Sequence, residues 1–115
     1  MPEADRRVLV LGAQGVLGSV AARAFRRAGW RVVRAGRRPE DGVSLVDLDR
    51  PETLRDALDG IDVVVNPVPT ERLSAERVVL ESGPALVNLS TSPASAWWAL
   101  GREATPARGL VLTHG

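Results

Sequence analysis

Three glycines spaced three apart, in Gly12-Ala13-Gln14-Gly15-Val16-Leu17-Gly18, carry the clearest chemistry in this 115-residue sequence. They stand between an apolar run, Val8–Leu11, and an amphipathic stretch that opens at Val16. A glycine at 12 permits a tight turn out of a strand. One at 15 leaves the main chain bare where an anion must approach, and one at 18 lets a helix pack close to a sheet. The first N–H groups of that helix have no acceptor within it, and the helix dipole adds to their attraction for a diphosphate. With a strand before it, a helix after it and a second strand in phase, the pattern reads as a dinucleotide site rather than a glycine-rich structural turn. Gly12, Ala13, Gln14, Gly15, Val16, Leu17 and Gly18 are therefore candidate binding residues.

A second group lies where the next strand pattern ends, at Arg34-Ala35-Gly36-Arg37-Arg38. An NAD-preferring site places an acid here to accept the ribose hydroxyls, yet no carboxylate occurs before Glu40. A guanidinium gains little from a bare 2′-hydroxyl and much from a dianionic 2′-phosphate. Arg37 first and Arg38 second are thus expected to favour NADP. The alternative is a solvated basic turn balanced by Glu40 and Asp41, which leaves NAD open. Farther on, Val65-Asn66-Pro67 closes the most apolar strand pattern, at the crevice where ligands of such sheets bind, and makes Asn66 a candidate neighbour of the cofactor or a turn-forming Asn before proline.

The residues that are missing narrow the chemistry further. There is no Cys and no Tyr, and all 15 basic residues are Arg. Disulfides, thiolate nucleophiles and Cys-ligated metals are excluded. The sole histidine, His114, has no patterned carboxylate or nucleophile beside it and reads as a solvated side chain. Ser90-Thr91-Ser92 before Pro93 reads as a helix cap that could also face the nicotinamide end. Trp97-Trp98 offers either one ring packed inward or a face for a partner. No His, Asp or Glu spacing suggests a metal site. A net charge of +1 argues against nucleic acid or an anionic membrane surface as partner. Apolar runs of about five residues fall far short of the ~20 that span a bilayer. The charged start, Met1–Arg7, is no signal peptide, so a cytoplasmic location is expected.

Positioning these residues requires a particular set of elements. Strand-length apolar runs at Val8–Leu11, Arg31–Ala35, Val43–Leu48, Ile61–Val65, Ala85–Leu89 and Leu110–Thr113 alternate with helical patterns. The helices are expected from Val16 to Ala28, from Pro51 to Gly60, over Leu73–Glu81 and over Ser95–Ala104. On the first, Val16, Leu17, Val20, Ala21, Ala24, Phe25 and Ala28 form the stripe expected to face inward. The alternation predicts an α/β fold: a doubly wound parallel sheet, Rossmann-like, in three α/β/α layers with strand order 3-2-1-4-5-6. Between the second and third strands only Gly36–Gly42 is available, so that crossover must be helix-free. The whole of 1–115 forms one domain. Because it stops directly after a strand pattern, it is expected to be cut from a longer protein.

The run Val8–Gly18 resembles the opening of NAD(P)-binding Rossmann domains of the saccharopine dehydrogenase-like group, and is similar to the extended and atypical short-chain dehydrogenases. Val46-Asp47-Leu48-Asp49, Pro51-Glu52-Thr53-Leu54 and Ala57-Leu58-Asp59-Gly60-Ile61-Asp62-Val63-Val64-Val65-Asn66 extend the likeness in order. The short link between the second and third strands is more like the extended short-chain group; Leu86-Val87-Asn88-Leu89-Ser90 followed by a helix is more like the saccharopine group. The resemblance implies that Asp47 and Leu48 sit beside the adenine, against the alternative that Asp47 or Asp49 caps the helix opened by Pro51. It implies that Asn66 lies near the ribose and phosphates, although Pro67-Val68-Pro69 replaces the family's small residues. It also supports NADP at Arg37-Arg38. The Tyr–Lys pair of short-chain dehydrogenases is absent. The implied function is the cofactor half of an oxidoreductase acting on an unidentified small molecule. The alternatives are a stand-alone nucleotide sensor, or a scaffold that homodimerises through its last helix and strand.

Overall fold

The computed structural model describes residues 5–68 and 74–89, and the backbone of 111–113. β1 (Arg7–Val10), β2 (Arg31–Gly36), β3 (Val43–Leu45), β4 (Val63–Asn66), β5 (Ala85–Asn88) and β6 (Val111–Thr113) form one parallel sheet of order β3-β2-β1-β4-β5-β6. This is the expected doubly wound arrangement. The chain winds outward in opposite directions from the central β1/β4 pair, and right-handed crossovers then place helices on opposite faces.

Alternation along β1 shows how both faces are filled. Leu9 and Leu11 point into one apolar cluster, with Leu54 and Leu58 at α2 (Pro51–Ala57) and Ala75, Val78, Val79 and Leu80 on α3 (Ser74–Ser82). Val8 and Val10 point to the other face, where Val65 and Ala22 of α1 (Val16–Arg27) meet them. Burying each of the Leu and Val side chains contributes roughly 1.5–3 kcal/mol. Phe25 and Trp30 meet edge to face at 5.3 Å, with the Arg6 guanidinium 5.7 Å from the Trp30 ring, and fix the return from α1 into β2.

Two expectations need correction. The inward face of α1 is not the stripe of large apolar residues. Val16, Leu17 and Val20 are 81%, 54% and 57% exposed, while Gly18 and Ala22 are buried and Ala21 and Phe25 pack beside them. The helix lies so close to the strand-to-helix turn that only small residues fit its inner side near the start. The third strand is also shorter than expected: strand pairing ends at Leu45, and after the Val46 N–H bonds to the Gly36 carbonyl at 2.9 Å the chain turns toward α2. The Asp47 N–H donates to the Thr53 hydroxyl, whose single O–H lies within donating distance of the carbonyls of both Asp47 and Arg50.

The helix-free β2–β3 link is feasible because the strands are staggered. Val43 pairs with Arg34 and Leu45 with Gly36. The link therefore returns past only two residues of β2, roughly 7 Å, rather than the length of a strand. The helix expected over 95–104 lies outside the described residues, as do Ser90-Thr91-Ser92, Trp97-Trp98 and His114. No helix among the described residues is long and apolar enough to cross a membrane.

Leu54 is buried on α2, whereas Leu45 on the edge strand is largely exposed. Leu54→Ala should cost about 2–5 kcal/mol and Leu45→Ala less than about 0.5 kcal/mol, both measured by urea denaturation of the purified chain.

Candidate functional site

The turn from β1 to α1 is built around Gly12. Its φ of +57° lies in the left-handed region, and a Cβ there would also sit 2.7 Å from Val68 Cγ2. Gly15 caps α1 in extended conformation, with its N–H donating to the Gly12 carbonyl at 3.0 Å. The first bond inside the helix runs from the Ser19 N–H to the Gly15 carbonyl. The amides of Val16, Leu17 and Gly18 precede it and have no intrahelical acceptor. No acidic residue occupies the first turn, and Arg26 and Arg27 lie in the last, so the side chains reinforce the helix dipole.

The role of Gly18 differs in detail from the expectation. A Cβ at 18 would collide with the Gly12 carbonyl oxygen and lie 2.9 Å from Ala13 Cα. Gly18 is thus needed so that α1 can close onto its own preceding turn, more immediately than onto the sheet. Ala13, buried beneath it, ties the turn to β2 through its N–H and the Ala35 carbonyl at 3.0 Å.

A cavity of about 520 Å³ opens over this turn. Its walls include Gly12, Gln14 and Gly15 on one side, Arg37 and Arg38 beyond β2, and Asp47 and Leu48 after β3. That volume falls within the range of nucleotide and cofactor pockets. Three separate loops at the carboxyl ends of the strands converge here, as expected at the switch point of a doubly wound sheet.

Not every candidate reaches the cavity. Val16 and Leu17 offer main-chain amides, and their side chains project outward. Asp47 lines the cavity, but its Oδ1 accepts the Asp49 N–H at 2.9 Å. Asp49 does not cap α2: the N-cap is Arg50, with no side-chain capping bond, and Pro51 opens the helix. Asn66 is fully buried and does not line the cavity. Its Nδ2 donates to Glu76 Oε1 at 2.6 Å and its Oδ1 accepts the Val68 N–H at 3.0 Å. Asn66 therefore shapes the loop whose Val68 closes over Gly12.

Two participants escaped the sequence reading. Glu76 is fully buried on α3. The available signal was its position three and four residues before Val79 and Leu80, which put a carboxylate on the inward stripe. The other is the way Arg37 and Arg38 are kept available. Arg34 takes Glu40 in an ion pair at 2.8 Å, and no described carboxylate pairs with Arg37 or Arg38. Of the two acids that could balance the basic turn, Glu40 is thus paired with Arg34. No group of three His, Cys, Asp or Glu suited to a metal ion occurs among the described residues.

A strand, a glycine turn, a helix with bare amides and a basic loop at the switch point define a Rossmann-type dinucleotide-binding domain. Residues 8–80 match the NAD dependent epimerase/dehydratase family model, and the chain belongs to that family. No curated protein matches it. Among solved structures it is similar to a C-terminal deletion mutant of Thermoplasma acidophilum aldohexose dehydrogenase, with TM-score 0.61 and 20% identity over 85% of this chain and 55% of that one. It is also similar to Bacillus cereus UDP-N-acetylglucosamine 4-epimerase, with TM-score 0.64 and 19% identity over 75% of this chain and 36% of that one. A mutant of Agrobacterium tumefaciens uronate dehydrogenase complexed with NAD gives TM-score 0.61 and 19% identity over 75% and 41%. The chain thus spans about half the length of these structures or less.

The glycines make a separable prediction. Gly18→Ala forces backbone atoms apart and should cost about 1–3 kcal/mol or more. Gly15→Ala meets only the Gly12 carbonyl, at 3.4 Å, and should cost less than about 1 kcal/mol. Thermal and urea melts of the two variants check the difference.

Proposed function

We propose that this chain is the NADP(H)-holding domain of an oxidoreductase that transfers hydride to or from a C=O, C=N or C=C group of a small molecule. The observation that carries the reading is the state of the β2 end. Two arginines flank the cavity there, the acid of an NAD-type site is missing, and the next carboxylate along the chain, Glu40, is already held by Arg34.

The residues present suit a dinucleotide. The main-chain amides of Val16, Leu17 and Gly18 would bind the diphosphate across the space left open at Gly12 and Gly15. Leu48 and Val46 supply an apolar wall for the adenine, and Asp47 lies beside it with one carboxylate oxygen committed to Asp49. Arg37 and Arg38 would hold the 2′-phosphate through charge-assisted bonds. When bound, the nicotinamide supplies the hydride donor or acceptor. This chain binds, orients and shields it. With no Tyr and no Lys, these 115 residues do not supply the proton-transferring pair used by short-chain dehydrogenases.

The finer likeness to saccharopine dehydrogenase-like enzymes is supported by Leu86-Val87-Asn88-Leu89, at and just beyond β5, outside the segment matched by the family model. Under that reading the reducible group is C=N.

Titration of the chain with NADPH, followed by nicotinamide fluorescence, tests the proposal. Saturable binding with clear preference over NADH is expected. Arg37→Ala and Arg38→Ala should each lower that preference by roughly 10–100-fold, the equivalent of about 1.5–3 kcal/mol for a charge-assisted bond. Equal losses for the two nucleotides would refute the 2′-phosphate assignment.

A further inference from the structure

We propose that Gln14 is a specificity-determining positioning residue, a side-chain clamp that fixes the Arg37-Arg38 segment for the 2′-phosphate; the inference rests on the NADP reading above. Gln14 lies in the middle of the glycine turn, where it would ordinarily be read as a residue facing the diphosphate. Its carboxamide instead reaches across to β2 and pairs with one peptide residue from both sides. Nε2 donates to the Arg38 carbonyl at 3.0 Å, and Oε1 accepts the Arg38 N–H at 3.3 Å. An amide that closes such a two-bond ring imitates one residue of strand pairing, and it fixes both the position and the direction of the backbone it holds.

A second feature shows that the fold makes room for this clamp. Gly36 is buried and immediately precedes the two arginines. A Cβ added there would collide with Gln14 Oε1 and lie 3.0 Å from its Cδ. The left-handed region plays no part here; the Gln14 carboxamide occupies the place a side chain at 36 would take, so any residue larger than glycine must displace it. The three residues form one device: Gly36 provides space, Gln14 fills it, and Arg38 is held.

The need for such a device follows from the missing helix. In a crossover with a helix, the segment after β2 is held by packing. Here it is an exposed link of six residues. Its far half is restrained by the Arg34–Glu40 ion pair and by the Val43 N–H bonding to the Glu40 carbonyl at 3.1 Å. Its near half, which carries both arginines, is tied by Gln14. A long Arg side chain loses considerable rotamer freedom on binding. Holding its backbone still removes part of the ordering that the ligand must otherwise impose. The clamp acts on the only part of the ligand that distinguishes NADPH from NADH, so its loss should appear as lost discrimination.

The test compares the wild-type chain with Gln14→Ala, Gly36→Ala and the double variant. Dissociation constants for NADPH and NADH are measured by fluorescence titration, and amide exchange of Arg37 and Arg38 by NMR. Gln14→Ala should reduce the NADPH-over-NADH preference by about tenfold and speed exchange at Arg38. Gly36→Ala should do the same by expelling the carboxamide, with an added loss of stability. The double variant removes the collision, so it should regain the stability of Gln14→Ala while keeping the reduced preference, even if Gly36→Ala alone fails to fold. If Gln14→Ala keeps the wild-type preference, or weakens both nucleotides equally as a direct diphosphate contact would, the clamp is overturned. If the wild type itself shows no preference, the NADP reading fails at that earlier arm and the clamp's role falls with it.

Discussion

The carbonyl oxygen of Gly12 occupies the space where residue 18 would otherwise carry its Cβ. That contact sets how α1 meets the sheet, and the rest of the site follows from it. A helix that starts directly against its own turn must present small residues inward, hence Gly18 and Ala22. It must also leave its first amides at the mouth of the crevice. Any larger residue at 18 would push the helix away from β1 and remove the anion site and the inner packing together. Dinucleotide binding and chain folding therefore share one steric requirement at this point.

Around that contact the site is assembled from loops that hold one another. Gln14 ties the turn to the β2–β3 link. Val68 closes over Gly12 and is itself held by Asn66, which Glu76 orients from α3. Most of these connections are polar, short in reach and formed between backbone and side chain. The apolar layers supply stability, and this network supplies geometry.

Much of this was legible in the sequence, for identifiable reasons. Strand order and the helix-free link followed from apolar runs and their spacing, because parallel strands buried on both faces must read as continuous hydrophobic stretches. The glycine turn followed from steric rules that leave few alternatives. The inner face of α1 was misjudged because periodicity weighs large apolar residues, whereas close approach selects small ones. Asn66 and Asp47 were placed in the right loops, but a sequence does not reveal whether a polar side chain faces a ligand or its own backbone. Gln14 was assigned to the right turn, yet its partner lies 24 residues away, and no local rule predicts that pairing.

Each side of the sheet carries its own apolar layer: Leu9, Leu11 and Val64 join the cluster beneath α2 and α3, and Val8, Val10 and Val65 the cluster beneath α1. The crevice lies where the two meet, with Gly12 and Gly15 of the turn into α1 on one side and Leu11, Ala35 and Val46 of the other layer lining it too. A molecule that settles there therefore does more than occupy a recess: it touches both layers at once. Occupancy and resistance to unfolding are thermodynamically linked, so the abundance of the coenzyme becomes part of what keeps the domain assembled.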